Sequence, residues 1–131
     1  LKPGLDTGDQ EEEDSCFSDN THVDMIEDVR GIQNVWLGTY AKLVGTSVTG
    51  VGIKDVVEAV DANLAARITT DIANSLAVAE ALPVPFDNAI QPGNAAGNQA
   101  VASLIQALDT QTASLREALT LLGLEAVPDP E

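Results

Sequence analysis

The side chains able to do chemistry crowd into residues 15–24, where Ser15, Cys16, Phe17, Ser18, Asp19, Asn20, Thr21, His22 and Asp24 follow in close order. His22 is the only histidine and Cys16 the only cysteine of the chain. Ser18 and His22 stand four apart, and Asp19 or Asp24 could orient the imidazole, which supplies the parts of an activated nucleophile. Such parts are normally gathered from distant positions in the chain. The favoured reading is therefore plainer: a capping turn in which Ser18, Asp19 and Asn20 satisfy backbone amides at a helix start. As a metal ligand His22 lacks a second histidine or a positioned cysteine beside it, so the chain on its own falls short of a ligand set. Cys16 reads as a small apolar residue rather than a nucleophile. The acidic run at residues 11–14 offers hard oxygens but not the glycine-centred spacing of a calcium loop, and reads as a solvated surface.

The neighbouring elements of the chain must position these residues. Residues 1–20 carry seven acids against Lys2 and no helical period, and read as an acidic entry loop. From Thr21 the apolar residues Val23, Ile26, Val29, Trp36 and Tyr40 recur at helical spacings, predicting an amphipathic helix over residues 21–42. Asn20 or Thr21 can cap it, and Asp24 stands three residues beyond Thr21 in a capping-box position. Met25, Val35 and Leu37 widen its apolar surface, so it is expected to bury two sides, one of them against a partner. Trp36 and Tyr40, four apart on one face, read as core rather than pocket lining. Gly31 and Gly38 each cost a helix about 1 kcal/mol, which suggests close approach by another element.

Further along, residues 45–52 form a glycine-punctuated connection with room for a short β-like excursion, and residues 53–60 a brief helix. Asp61 can cap a long helix over residues 61–82, stopped by Pro83 and Pro85. A loop anchored by Phe86 and Ile90 leads to a last helix over residues 98–122, which Gly123 terminates. Three helices of matched length, about 33 to 38 Å at 1.5 Å per residue, and one short helix predict an all-α antiparallel helical bundle. The domain plan is an entry loop at 1–20, a bundle at 21–123 and a Pro-rich tail at 124–131.

The 131 residues suffice for one domain without disulfide support. With 21 acids against 6 bases the net charge is −15. That excludes a nucleic-acid binder and disfavours cationic attachment to anionic lipid. The hydrophobic content of 44% keeps the chain out of the disordered class. No stretch approaches the roughly 20 apolar residues of a membrane helix. The sequence opens on Leu1 without a basic then apolar leader, and is expected to be an excised or processed portion of a longer protein.

The run Ser15-Cys16-Phe17-Ser18-Asp19-Asn20-Thr21-His22, followed by Gly31-Ile32-Gln33-Asn34-Val35-Trp36-Leu37-Gly38, closely resembles the signature in the C-terminal half of imelysin-like proteins. The turn Pro83-Val84-Pro85-Phe86-Asp87 and the helices around it extend the resemblance along the chain. What the resemblance implies is one half of a pair of helical-bundle domains, exported to the periplasm or the outer membrane and associated with iron uptake. The family is also classed as a peptidase. Its second signature, Gly-x-His-x-x-Glu, belongs to the N-terminal half, whereas here the only histidine is followed by Val23, Asp24 and Met25. The implied site is a cleft between the halves, walled on this side by Ser15, Phe17, Ser18, Asp19, Asn20, His22, Gln33 and Trp36. His22 would be a ligand to iron or another divalent metal, and the N-terminal half the partner that completes the set. A metallopeptidase using the same cleft and a non-catalytic protein-interaction domain are the alternatives. Self-association of the isolated half through an exposed apolar face is a further expectation.

Overall fold

Asp61 and Asn94 each turn a side-chain oxygen onto the amide three residues ahead, Leu64 N at 2.9 Å and Gly97 N at 3.0 Å, and so start the two longest helices. The computed structural model describes residues 1–13 and 15–125, which leaves Asp14 of the acidic run and residues 126–131 of the expected tail outside the described residues. In chain order the elements are α1 (Lys2–Thr7), a single 3-10 turn (Gln10–Glu12), α2 (Thr21–Leu37), β1 (Thr39–Ala41), β2 (Ser47–Thr49), α3 (Ile53–Glu58), α4 (Ala62–Glu80), α5 (Phe86–Ile90) and α6 (Ala95–Leu121). The protein is an all-α helical bundle with one small antiparallel hairpin, in which Tyr40 pairs with Val48.

The apolar core lies in two clusters stacked along the bundle. One gathers Met25 of α2, Ala79 at the end of α4, Phe86, Ala89 and Ile90 of α5, and Val101 and Leu104 early in α6. The other gathers Trp36 at the end of α2, Val57 of α3, Leu64, Ala65, Ile68 and Ile72 early in α4, and Ala118 late in α6. Thus α2 and α6 run from the first cluster to the second and α4 runs back, the alternation of an up-down bundle. Between the clusters Ser75, Gln111 and Ser114 are buried, forming a polar waist. Arg30 bonds Glu27 and, at 3.1 Å, Glu80, tying α2 to α4; Arg67 and Glu117 tie α4 to α6. These exposed pairs contribute at most about 1 kcal/mol each.

Three expectations are corrected. Residues 2–7 are helix rather than loop, because Pro3 fits a first turn, Gly8 closes the last at φ 69°, and Leu1 and Leu5 pack on the first cluster. The helix from Thr21 ends at Leu37 instead of residue 42, since Gly38 takes φ 66° and the chain turns into β1. Tyr40 therefore leaves the face of Trp36: it is a half-exposed strand residue, whereas Trp36 is buried. On α2 one side is buried within the chain, through Met25, Val29 and Trp36, while the other leaves Ile32 and Val35 exposed, the side the expectation gave to a partner. Gly31, on the open side, has nothing within 4 Å of where a Cβ would stand. Third, the three long helices are unequal, at 17, 19 and 27 residues. The short helix before Asp61, the Phe86 and Ile90 anchor and the left-handed Gly123 stand as expected.

Candidate functional site

The segment ahead of α2 is held by a chain of hydrogen bonds converging on Thr21. Its hydroxyl is buried, donates to Glu13 Oε2 at 3.0 Å and accepts from Ser15 N at 3.3 Å. The Ser15 hydroxyl donates to the Asp24 carboxylate one turn into α2. Ser18 returns both its amide and its hydroxyl to Ser15 O, at 3.0 and 3.3 Å. Asp19 adopts φ 51°, which reverses the chain into the helix. Asn20 begins α2 with its backbone alone: its carbonyl accepts from Val23 N and Asp24 N, and its side chain caps nothing.

The capping-box expectation is thereby corrected. Thr21 and Asp24 face the preceding loop instead of the helix amides, because Glu13 and Ser15 compete for them. The capping turn by Ser18, Asp19 and Asn20 is not formed by their side chains either. Nor do Ser18 and His22 pair, since the Ser18 hydroxyl goes to Ser15 O. Ser15 is the serine with a carboxylate partner.

Glu13, one of four adjacent acids that look alike in the sequence, is only 8% exposed. Burial pushes its carboxyl above the ordinary range, the Thr21 hydroxyl pulls the other way, and the Asp87 and Asp19 carboxylates add to the rise. Asp87 comes from α5 and also accepts from Gln10 Nε2, so the short helix clasps the entry segment from the far side of the sequence. Only the hydroxyl of Thr21, eight residues on, hints at a buried member of the run.

His22 is half buried, and its Nδ1 is sealed from solvent without a hydrogen-bond partner among the described residues. Around it Ser15 and Cys16 are half buried, while Phe17, Ser18, Asp19 and Asn20 are exposed, Phe17 completely. Gln33 and Trp36 lie on the same helix but about 16 and 21 Å farther along its axis. Trp36 is 1% exposed and donates from Nε1 to Thr69 Oγ1 at 2.9 Å. Its other edge floors a groove of about 460 Å³ lined by Asp28, Gly31, Ile32, Val35, Ile53 and Leu115. The structure therefore brings six of the eight candidate residues together at the start of α2 and sets Gln33 and Trp36 apart from them.

The fit to a metal is partial. His22 Nδ1 has no hydrogen bond to give up among the described residues, as a ligating imidazole nitrogen requires. Among the described residues no group of three or more His, Cys, Asp or Glu side chains is placed to hold an ion. No described helix is long and apolar enough to cross a membrane. A family model described as Peptidase_M75, Imelysin, matches residues 1–115 of the 131. No curated protein matches the chain.

Proposed function

The chain belongs to the imelysin family, and on that premise we propose that it is the C-terminal half of an exported iron-uptake protein, forming one wall of a metal-binding cleft between two helical domains. The observation that carries this reading is the buried Nδ1 of His22 in the first turn of α2, which, like Glu13 Oε1, has no hydrogen-bond partner among the described residues, while the Thr21 and Ser15 hydroxyls are engaged. An orphaned buried acceptor costs about 1 to 3 kcal/mol, and a metal ion shared with a facing domain would offset it. Ser15, Phe17, Ser18, Asp19 and Asn20 then form the rim that meets that domain, whose Gly-x-His-x-x-Glu signature would supply the remaining ligands. Periplasmic or outer-membrane placement follows from the same family resemblance.

Binding is preferred to peptide hydrolysis because the hydroxyls of Ser15 and Ser18 and the carboxylate of Asp24 are already committed. The Ser18 proton goes to a carbonyl, and Asp24, the acid nearest His22 on α2, holds Ser15. In the intact gene product, calorimetric titration with ferrous, ferric and zinc ions is expected to show binding that His22→Ala weakens by about tenfold or more, the 10- to 100-fold scale of disturbed metal sites. Unchanged affinity in the variant overturns the reading. Chelator-sensitive cleavage of denatured casein, lost in the same variant, would move the assignment to a metallopeptidase.

A further inference from the structure

Glu13, the buried acid of the run at residues 11–14, meets a second carboxylate and no base. Its amide donates to Gln10 O at 3.1 Å, which folds Glu13 back over the 3-10 turn, and the Gln10 side-chain amide donates to Asp87 of α5. The Glu13 and Asp87 carboxyl groups are thereby brought within hydrogen-bond reach of one another. Glu13 Oε2 accepts from the Thr21 hydroxyl at 3.0 Å, whereas Oε1 is sealed from solvent without a hydrogen-bond partner among the described residues. The charged groups that act on Glu13 are Asp87 and, from the turn into α2, Asp19, both of its own sign. Among the described residues the ion pairs take up Glu27, Glu80, Glu58 and Glu117 and leave Glu13 and Asp87 without a base. Two carboxylates this close resist carrying charge together. A proton on Oε1 turns the orphaned acceptor into a donor and gives a charge-assisted bond to Asp87.

We infer that Glu13 and Asp87 share a proton, and that this proton latches the entry segment, residues 9–20, onto α5. The other ties of that segment run to the first turn of α2, where Thr21 accepts from Ser15 N and Asp24 takes the Ser15 hydroxyl. Helix α1 is seated separately, by Leu1 and Leu5 on the first cluster. When the proton leaves, the attachment to α5 turns repulsive while the attachment to α2 persists, so the segment swings away about the start of α2 and the helices stay packed. Burial, and then the Asp87 and Asp19 carboxylates, keep the proton on Glu13 above the ordinary carboxylate range. The latch is therefore shut in mildly acidic medium and opens as pH rises through the value of the folded pair. It does not rest on the metal reading. The exposed rim from Phe17 to Asn20 lies on the latched segment, so its presentation follows the pH.

The test follows the amides of Glu13 and Ser18, which bond Gln10 O and Ser15 O, by hydrogen exchange in the whole chain at pH 5 and pH 8, each rate taken relative to its intrinsic value. Protection of both should fall by about tenfold or more at pH 8, a decade for each unit by which latching raises the carboxyl. Amides in the first half of α6 should stay as protected as before. Glu13→Gln, whose amide donates to Asp87 at any pH, should keep the acid-state protection at pH 8. Asp87→Asn, which supplies the donor from the other side, should do the same, and in a carbon-13 titration it should lower the midpoint of the Glu13 carboxyl. Equal protection at both pH values in the parent overturns the inference, as does a loss that Glu13→Gln retains, a loss shared by α6, or a Glu13 midpoint that Asp87→Asn leaves unmoved. Protection at pH 8 that calcium chloride restores and EDTA removes would put a divalent cation in place of the proton, and overturns it as well.

Discussion

At the scale of single residues, Glu13 links the entry segment to the pH of the medium. Its carboxyl is held above the ordinary 4.5 by burial and by the Asp87 and Asp19 carboxylates, so the folded chain binds this proton more tightly than the unfolded one. The associated stability is fully present below the ordinary value and is lost as pH rises through the folded one. Glu13→Gln keeps an acceptor for the Thr21 hydroxyl and removes the charge. Thermal melts should therefore show the variant above the parent at pH 7, by about 4 °C or less, with the gap closing toward pH 4. An equal gap at both values would refute the assignment. Neither the burial of Glu13 nor its clasp by Asp87 was legible in the sequence. Four adjacent acids look alike on paper, and Asp87 is brought beside them only when α5 folds against the entry segment.

At the scale of elements, the exit from α2 is set by two glycines rather than by a change of period. A Cβ on Gly38 would stand 2.5 Å from Gly50 O and Gly52 N, and one on Gly52 would stand 2.3 Å from Trp36 O. The backbones at either end of the hairpin therefore touch, and Gly38 also holds φ 66°. Gly38→Ala should cost more than about 2 kcal/mol in urea unfolding. Gly31→Ala, in an open helix interior, should gain up to about 1 kcal/mol. Equal effects at the two sites would contradict this account. The contrast explains what the sequence made legible. The Asp61 cap and the left-handed Gly123 are local signals, so α4 and the end of α6 were readable within a few residues. The apolar period runs on through Tyr40, and the contact that stops α2 joins residues 14 apart, which periodicity does not register. Helix α1 shows no period because Leu5 is its one large apolar residue, and with Leu1 ahead of it the helix packs on the cluster beneath. The signature segment was recognisable from residues 15–38. Which of its side chains share one end of α2 was not.

For the whole molecule, the polar waist of Ser75, Gln111 and Ser114 divides the core into two ends of unequal enclosure. Around Met25 the core is covered by Leu1 and Leu5 at α1; around Trp36 it borders the open apolar groove. Amides of α3, the start of α4 and the last turns of α6 should therefore exchange with deuterium about tenfold faster than those of α5 and the first half of α6. Uniform protection along α6 would show that the clusters open together. Charge follows the same division: between Asp28 and Asp55 there is no acid, while Arg30, Lys42 and Lys54 all fall there. The β1–β2 hairpin lies in that stretch, every residue from Tyr40 to Val51 is exposed, and its two ends are clamped together by Gly38 and Gly52. What happens at its tip is thus mechanically insulated from the bundle. Residues 42–46 are the place to splice in an epitope, a fluorophore or a protease recognition sequence without disturbing either half of the core.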